Sequence, residues 1–299
     1  MTTIPVTTTP LTPARRAILI LGVPVVLAVL GWAAFNAVAL ADQVSYHAHI
    51  SAPVTGRRVS VSAGSADATF LPGPGRRILV NAALRGSLAR PSFSWRSSAA
   101  GLALNSACPP MPVGSCSLSY VITVPGGLPA ALSDTSGDLT ADNLSGSVTL
   151  SDDSGNLNAA GLSGTLSLTE GSGDLDASGL SGAASLSDYS GDITVSGLRG
   201  GAVRLAGNSG EITVTGLAGT EVTGRNVSGD ITLTFTRVPR RVDITDGSGN
   251  ITLVLPPGAT RYHVVTHDGS GETTISVPRA RSSPYSIIAT DGSGNINIS

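Results

Sequence analysis

The chain has 299 residues, a formal net charge of −2 and 18 basic residues besides histidine, all of them arginine. No basic stripe with interleaved aromatic residues is present, which argues against nucleic-acid binding. Glycine is abundant, but the sequence contains neither a Gly-x-Gly-x-x-Gly nor a Gly-x-Ser-x-Gly motif, the signatures of a dinucleotide-binding loop and of a nucleophile elbow.

The first 41 residues divide into a short tail and an apolar segment. Residues 1–16 are rich in threonine and proline and lack a core, which predicts a disordered tail. Residues 17–41 carry no charge and could span a bilayer of about 30 Å as a transmembrane helix. Arg15 and Arg16 precede this run, so the positive-inside rule predicts a cytoplasmic tail and an extracytoplasmic remainder. The alternative is a cleaved signal segment, because Ala39-Leu40-Ala41 has the small-x-small pattern of a cleavage site.

The following segment is interpreted as a linker, residues 42–54, and a set of irregular capping coils, residues 55–133. Terminal coils of a repeat protein usually depart from the consensus because they cover the end of the core. Cys108 and Cys116 are the only two cysteines, and both interpretations of the N-terminus place them outside the cytoplasm. An oxidising compartment favours a disulfide that closes a proline-rich loop; a free thiol pair and a metal site are the alternatives.

Ser-Gly pairs recur through the last two-thirds of the chain at nearly constant spacing. Successive pairs are 18, 18, 18, 19, 19, 20, 22 and 23 residues apart. A fixed period of this size is the signature of stacked repeats. The pairs are Ser136-Gly137, Ser154-Gly155, Ser172-Gly173, Ser190-Gly191, Ser209-Gly210, Ser228-Gly229, Ser248-Gly249, Ser270-Gly271 and Ser293-Gly294.

Within each repeat, apolar and polar residues alternate after the Ser-Gly pair. In the first repeat Leu139 and Ala141 are two apart, a period that predicts a β-strand with one buried face. A further apolar residue, Leu144, precedes a second small turn, predicted at Ser145-Gly146 and its equivalents, and then a second short strand. Because the same residue types recur at the same stations, residues 134–299 are predicted to form an all-β, parallel β-solenoid with coils of about 18 residues. A sandwich or a meander of hairpins is the alternative.

The residue after each Ser-Gly pair is acidic or asparagine. In stacked coils, Asp174, Asp192, Glu211 and Asp230 would lie about 4.8 Å apart. Two unit charges at this distance in water repel by about 0.9 kcal/mol, so the charges alone do not require a bound ion. The four acids are weak candidates for calcium ligands, and solvated turn residues are the alternative, since the glycine-rich nonapeptide of calcium-binding β-rolls is missing. No catalytic residue and no cofactor site is predicted.

Short motifs accompany the repeat, including the turns Gly171-Ser172-Gly173-Asp174 and Gly247-Ser248-Gly249-Asn250 and the Val-Pro steps Val124-Pro125 and Val238-Pro239. With the single apolar segment, they resemble a bacterial family of exported or membrane-anchored β-strand-repeat proteins, described as candidate adhesins of unknown function. The resemblance covers roughly residues 55–299. It implies a β-solenoid in the cell envelope and transfers no catalytic residues.

These observations favour a non-enzymatic, single-pass protein of the cell membrane, a candidate adhesin or envelope scaffold with most of the chain extracytoplasmic. Besides the membrane, the expected partners are glycans, cell-wall polymers or proteins along the polar faces of the solenoid. The last strand, ending Ile296-Asn297-Ile298-Ser299, is expected to leave an unpaired edge for end-to-end association. The alternatives are an envelope sensor acting through the membrane helix and a polysaccharide-active β-helix enzyme. The enzyme would require paired carboxylates, whereas the acids here follow the repeat.

Overall fold

The computed structural model describes residues 23–35, 43–54, 56–87, 90–98, 101–108 and 115–299. Residues 23–35 form a helix, α1, with exposed apolar side chains. Within the described ranges, no helix is both long and apolar enough to cross a membrane. The expected tail 1–16 lies outside these ranges, as do both ends of the expected transmembrane segment 17–41.

The rest of the described chain is built from β-strands and short connections. The strands are β1 (Gln43–Pro53), β2 (Val59–Ser62), β3 (Asp67–Gly73), β4 (Arg77–Ser87), β5 (Ser92–Ser98), β6 (Gly101–Ala107), β7 (Cys116–Pro125), β8 (Ala130–Asp134), β9 (Leu139–Asp142), β10 (Ser145–Asp152), β11 (Leu157–Ala160), β12 (Ser163–Glu170), β13 (Leu175–Ser178), β14 (Ser181–Asp188), β15 (Ile193–Ser196), β16 (Arg199–Gly207), β17 (Ile212–Asn226), β18 (Ile231–Phe235), β19 (Arg241–Asp246), β20 (Ile251–Val254), β21 (His263–Asp268), β22 (Thr273–Ile275), β23 (Ser286–Asp291) and β24 (Ile296–Ile298).

From β8 onward the strands alternate between two parallel sheets that share the long strand β17. Sheet A includes β9, β11, β13, β15, β18 and β20, and sheet B includes β8, β10, β12, β14, β16 and β19. One coil is a sheet A strand, a bend, a sheet B strand and a Ser-Gly turn. Leu139 pairs with Leu157, which pairs with Leu175 one coil further on. The predicted parallel solenoid is therefore confirmed, with coils of about 19 residues, and the hairpin alternative is wrong for these coils.

The core is a narrow column of aliphatic side chains between the two sheets. In the coil that contains β11 and β12, Leu157, Ala159, Leu162, Leu166 and Leu168 all point inward and are buried. Burial of one such leucine contributes about 1.5–3 kcal/mol relative to leaving it exposed. The alternation seen in the sequence is thus the alternation between the core and the solvent.

The bend between the two sheets lies earlier than the sequence analysis expected. The residues at the bend have a left-handed backbone, with φ of 56° at Asn143 and 64° at Gly161. Asparagine and glycine are the residues that adopt this conformation most readily. Ser145 and Gly146, expected to form the second turn, instead open strand β10. That part of the prediction is wrong, because the bend lies at Asn143 and Gly161, whereas the glycine at the next station lies inside a sheet B strand, where a Cβ on Gly164 would overlap the Gly146 carbonyl oxygen.

The coil order at the C-terminal end of the solenoid differs from the chain order. Strand β24 pairs with β20 on one side and with β22 on the other, and β23 likewise lies between β19 and β21. The coil formed by β21 and β22 is therefore outermost, and the last strand is internal. The expectation that Ile296–Ser299 leaves an unpaired edge is wrong for this reason. The outermost position also explains why Thr273 occupies a station that is apolar in the other coils.

At the N-terminal end of the solenoid, too, the order of the coils differs from the order of the chain, and antiparallel strands are inserted between two coils. Strands β2 and β3 pair in parallel with β8 and β9, so this coil continues the solenoid. The chain then leaves for β4–β7 before it returns at β8. Residues 42–54 were expected to be a linker, but β1 pairs antiparallel with β4 from Gln43 to Pro53. Extended pairing along eleven residues makes this segment an edge strand of sheet A.

Cys108 and Cys116 form a disulfide, as the sequence favoured, with their Cα atoms 5.9 Å apart. The bond joins the residue after β6 to the first residue of β7. It therefore links sheet B to sheet A at the N-terminal end of the rod. The proline-rich loop itself falls within residues 109–114, outside the described residues.

Candidate functional site

The Ser-Gly turns stack into a continuous edge that runs along the rod. The Gly155 amide donates to the Ser172 carbonyl at 3.1 Å, and the Gly173 amide donates to the Ser190 carbonyl at 3.1 Å. A Cβ on Gly173 would overlap the carbonyl oxygen of Gly155. Glycine at this station is therefore required for the close approach of neighbouring backbones. Close stacking of the backbones therefore explains the recurrence of the motif.

The acids and amides that follow the Ser-Gly pairs form a second column, named here the outer acid ladder. The Oδ1 atom of Asp174 accepts a hydrogen bond from the Asp192 amide at 3.0 Å, and Asp192 Oδ1 accepts one from the Glu211 amide at 2.7 Å. Asp230 Oδ1 accepts from the Asn250 amide at 2.8 Å. In spatial order the ladder is Asp138, Asn156, Asp174, Asp192, Glu211, Asp230, Asn250, Asn295 and Glu272.

The four calcium candidates therefore lie in one column, as expected, and their side chains form hydrogen bonds within the protein. Three of them use an oxygen to bond the backbone of the next coil, and the Oε1 atom of Glu211 accepts from the Thr213 hydroxyl at 3.2 Å. Among the described residues, no group of three or more His, Cys, Asp or Glu side chains is arranged to hold a metal ion. Calcium binding stays a prediction, which titration calorimetry on the protein and on Asp174→Asn would test.

Sequence reasoning missed a third column, which lies two residues before each Ser-Gly pair and faces the core. It is named here the inner acid ladder. Its members pair in register from coil to coil, and the side chains are buried except at the outermost coil. In spatial order the positions are Asp134, Asp152, Glu170, Asp188, Gly207, Asn226, Asp246, Asp291 and Asp268.

The signal for this ladder was present in the alternation of each sheet B strand. In β10, Val148, Leu150 and Asp152 are two residues apart and therefore point to the same side. All three are buried. An acid that continues an inward-facing apolar series is unusual, because burying a carboxyl group costs free energy unless the group is hydrogen-bonded or neutral. The inner acid ladder is therefore the most distinctive electrostatic feature of the rod.

In five inner carboxyls one oxygen accepts a hydrogen bond from the following turn and the other has no partner among the described residues, and in Asp246 neither oxygen has one; the five are Asp134, Asp152, Glu170, Asp188 and Asp291. Glu170 Oε1 accepts from the amides of Gly171 and Ser172 at 3.0 and 3.1 Å, and Asp188 Oδ1 accepts from the Ser190 amide at 2.9 Å. The other oxygens, Glu170 Oε2 and Asp188 Oδ2, are buried without a hydrogen-bond partner among the described residues.

The environment of the inner carboxyls favours their neutral form. Burial raises the pKa of Asp134 and of Glu170 to about 7, and the turn amides oppose this shift only in part. Burial likewise raises the pKa of Asp188 and of Asp246 to about 6. Nearby acids add to the effect in each case, because two charges about 4.8 Å apart repel by about 3.5 kcal/mol at an effective dielectric constant of 20.

The outward side of sheet A presents a regular polar surface, named here the polar face. A groove of about 260 Å³ crosses successive coils on this face, and Asp142, Asn158, Asp176 and Thr194 help to line it. Hydroxyl, amide and carboxylate groups lie next to one another at the spacing of the coils. The central column of the polar face is Thr140, Asn158, Asp176, Thr194, Thr213, Thr232, Thr252, Asn297 and Thr274.

The repeat region matches the profile of one known family, Toastrack DUF4097, over residues 134–299, more than half of the chain. The chain belongs to the Toastrack DUF4097 family. The function of this family is unknown, so the expected membership of a repeat family without a defined function is confirmed. The Toastrack region begins with Asp134, the first residue of the predicted repeats.

Comparison with other proteins adds little to the Toastrack assignment. The chain is similar to the crystal structure of a candidate cell adhesion protein from Clostridium sporogenes ATCC 15579, with 13% sequence identity over 86% of this chain and 98% of that chain. The TM-score is 0.21, too low to support a functional argument. No curated protein matches the sequence.

Proposed function

We propose that this Toastrack protein is a non-enzymatic surface protein that binds extended polar polymers, such as glycans of the cell wall, along the polar face of sheet A. It acts as an adhesin or as a scaffold in the cell envelope. The N-terminal apolar segment anchors it in the cell membrane, with the rod outside the cytoplasm.

The observation that carries this proposal is the regular spacing of polar side chains along the groove. Asn158, Asp176 and Thr194 occupy the same station in successive coils, and the two neighbouring pairs are in register. A polymer with repeating hydroxyl groups can form equivalent hydrogen bonds at each coil. Individual polar contacts at an exposed surface are weak, so affinity would come from many contacts made at once.

Binding of insoluble wall polymers and a glycan array by the full-length protein tests this proposal. The double change Asn158→Ala and Asp176→Ala should weaken binding by removing two adjacent stations of the groove. Ser167→Ala with Ser185→Ala on the outward side of sheet B is the matched control, since it removes two adjacent polar groups from the other face. Equal loss in both variants, or no binding at all, would contradict a role for the polar face.

Support for the anchor comes from α1 and from the uncharged sequence around it. The exposed apolar side chains of α1 include Val26, Leu27, Leu30 and Trp32, and a contiguous apolar surface of this kind marks a membrane or protein contact. Alkaline extraction of membranes should leave the native protein in the pellet. A soluble native protein whose first residue is Asp42 would instead establish the cleaved signal segment.

The absence of enzymatic activity is also part of the proposal. Most acids of the described repeats lie in the two ladders set by the coil period, whereas glycoside hydrolysis needs a pair of carboxylates placed across the scissile bond. Turnover of any wall polymer by the purified protein would overturn this part.

End-to-end association is proposed for the edge that the structure leaves open. In the described chain, β21 pairs through its ladder only with β23, and β22 only with β24. Such a parallel edge can accept a strand from a second copy. Light scattering over a range of concentrations should show dimers or longer species, and a strictly monomeric protein at high concentration would exclude the association.

A further inference from the structure

The position occupied by Asn226 shows what the inner acid ladder bonds to. Its Nδ2 atom donates to the carbonyl of Gly210 in the preceding coil at 2.9 Å and to the carbonyls of Ser228 and Gly229 in its own turn at 3.2 and 3.0 Å. The space beside the turn is therefore lined by hydrogen-bond acceptors. A group placed there must donate a proton to be satisfied.

The unpartnered carboxyl oxygens lie in the equivalent space of their own coils. These atoms can be located by their distance from a Cβ placed on the glycine of the same Ser-Gly turn. A Cβ on Gly229 would lie 3.4 Å from Asn226 Nδ2, and a Cβ on Gly155 would lie 3.2 Å from Asp152 Oδ2. A Cβ on Gly294 would likewise lie 2.8 Å from Asp291 Oδ2. The second carboxyl oxygen thus stands where the asparagine carries its amide hydrogens. An ionised carboxylate there would face carbonyl oxygens, whereas a protonated carboxyl could donate to them.

We propose that the inner acid ladder is held as neutral carboxylic acids, each donating its proton to a main-chain carbonyl of the Ser-Gly edge, so that the rod is stabilised by acid and loosens along this edge as the pH rises. As the pH rises, each carboxyl oxygen loses its proton to solvent, and this change needs no other reactant.

The charged groups around the ladder all raise the pKa values of its carboxyls. The one ion pair in the described part of the chain, Arg241 with Asp243 at 2.8 Å, lies on partly exposed side chains outside the ladder. Besides the ladder's own members, the titratable groups that face it are acids and one tyrosine, Tyr120, which interacts with Asp134. The acids are Asp67, Asp138, Asp153, Asp174, Asp192 and Asp230.

The direction of the pH effect follows from the raised pKa values. A carboxyl whose pKa is higher in the folded state than in the unfolded state binds more protons when folded. Its stabilising contribution is complete below the unfolded value and is lost as the pH rises through the folded value. Glu170, raised from 4.5 to about 7, places this window between about pH 4.5 and pH 7. Between pH 5 and pH 8 such a group lowers the folding equilibrium constant roughly 70-fold.

Urea unfolding of the full-length protein at pH 5 and pH 8, followed by circular dichroism, tests the proposal. The wild type should have a higher midpoint at pH 5 than at pH 8. Glu170→Gln keeps both the acceptor and the donor, so it should raise the midpoint at pH 8 and reduce the difference between the two pH values. Asn226→Asp should be close to wild type at pH 5 and clearly less stable at pH 8. Asp176→Asn, on the exposed polar face, is the matched control and should leave the difference unchanged.

Two results would overturn the proposal. The first is a wild-type midpoint that is equal at the two pH values or higher at pH 8. The second is a Glu170→Gln protein with the same pH difference as wild type. Infrared spectra provide a direct readout: near pH 6 the wild type should show the carbonyl band of protonated carboxyls, weakened in Glu170→Gln and unchanged in Asp176→Asn. Asn226→Asp is not needed for either result, so the test stands even if that variant fails to fold.

Discussion

Replacement of Gly173 by alanine should destabilise the rod far more than an alanine in an exposed strand normally does. Gly173 has a φ of 146°, which disfavours any residue with a Cβ, and the added methyl group would overlap the Gly155 carbonyl. Backbone strain of about 1–3 kcal/mol adds to overpacking of about 1–3 kcal/mol. We therefore expect a loss of about 4 kcal/mol in the free energy of unfolding. For a protein of this size, that corresponds to a fall in melting temperature of about 8–16 °C.

Thermal unfolding followed by circular dichroism measures this effect, and Gly201 supplies the matched control. Gly201 lies in β16, is exposed, and a Cβ there would meet nothing within 4 Å. Gly201→Ala should therefore leave the melting temperature unchanged or raise it slightly. If the two variants melt together, or if Gly173→Ala melts as the wild type does, close backbone stacking is not the reason for glycine in the Ser-Gly edge.

Three further predictions concern the core, the ends and the disulfide. Leu168→Ala should cost about 2–5 kcal/mol, since the side chain is fully buried, whereas Thr169→Ala on the outward side should change stability by about 0.5 kcal/mol or less in the same melts. Deleting residues 295–299 removes a strand between β20 and β22, so hydrogen exchange of β22 should become fast; unchanged protection would contradict the coil order. Replacing Cys108 and Cys116 by serine should cost about 2–3 kcal/mol, the chain-entropy value for a loop closed over 8 residues, and unfolding that is unaffected by the double change would contradict a stabilising role.

The regular coils could be predicted because each local choice in the sequence agrees with the fold. Alternation sets which residues face the core, and glycine at a fixed station allows parallel backbones to approach closely. The position of the bend was misjudged because Gly161 and Gly164 serve different purposes that look alike in a sequence. Gly161 lies at the bend with a φ of 64°, whereas Gly164 lies in β12, where a Cβ would overlap the Gly146 carbonyl oxygen of the neighbouring coil.

The ends and the inner acid ladder could not be predicted with the same ease. Exchanged coil order leaves no trace in β24, which carries the same pattern whether its neighbour is the preceding coil or an earlier one; the polar Thr273 in β22 is the local sign of the outermost coil. Strand β1 also lacks a strong alternation, since it lies at an edge of sheet A and most of its side chains are exposed. The inner acids are hard to predict because the repeated Ser-Gly pair is followed directly by Asp174 and its equivalents, whereas Glu170 stands two residues before the pair, at the end of an apolar series.

Both ends of the rod contain coils that are out of chain order, and this arrangement has an evolutionary consequence. The tip at β21 and β22 is connected on both sides to coils deeper in the rod, so it cannot be lengthened by simply adding sequence after Ser299. Interior coils such as those of β10, β12 and β14, by contrast, pair in the same parallel register with the coils on either side. Duplication or loss of one such coil would change the length of the rod by about 4.8 Å and would leave both ends unchanged.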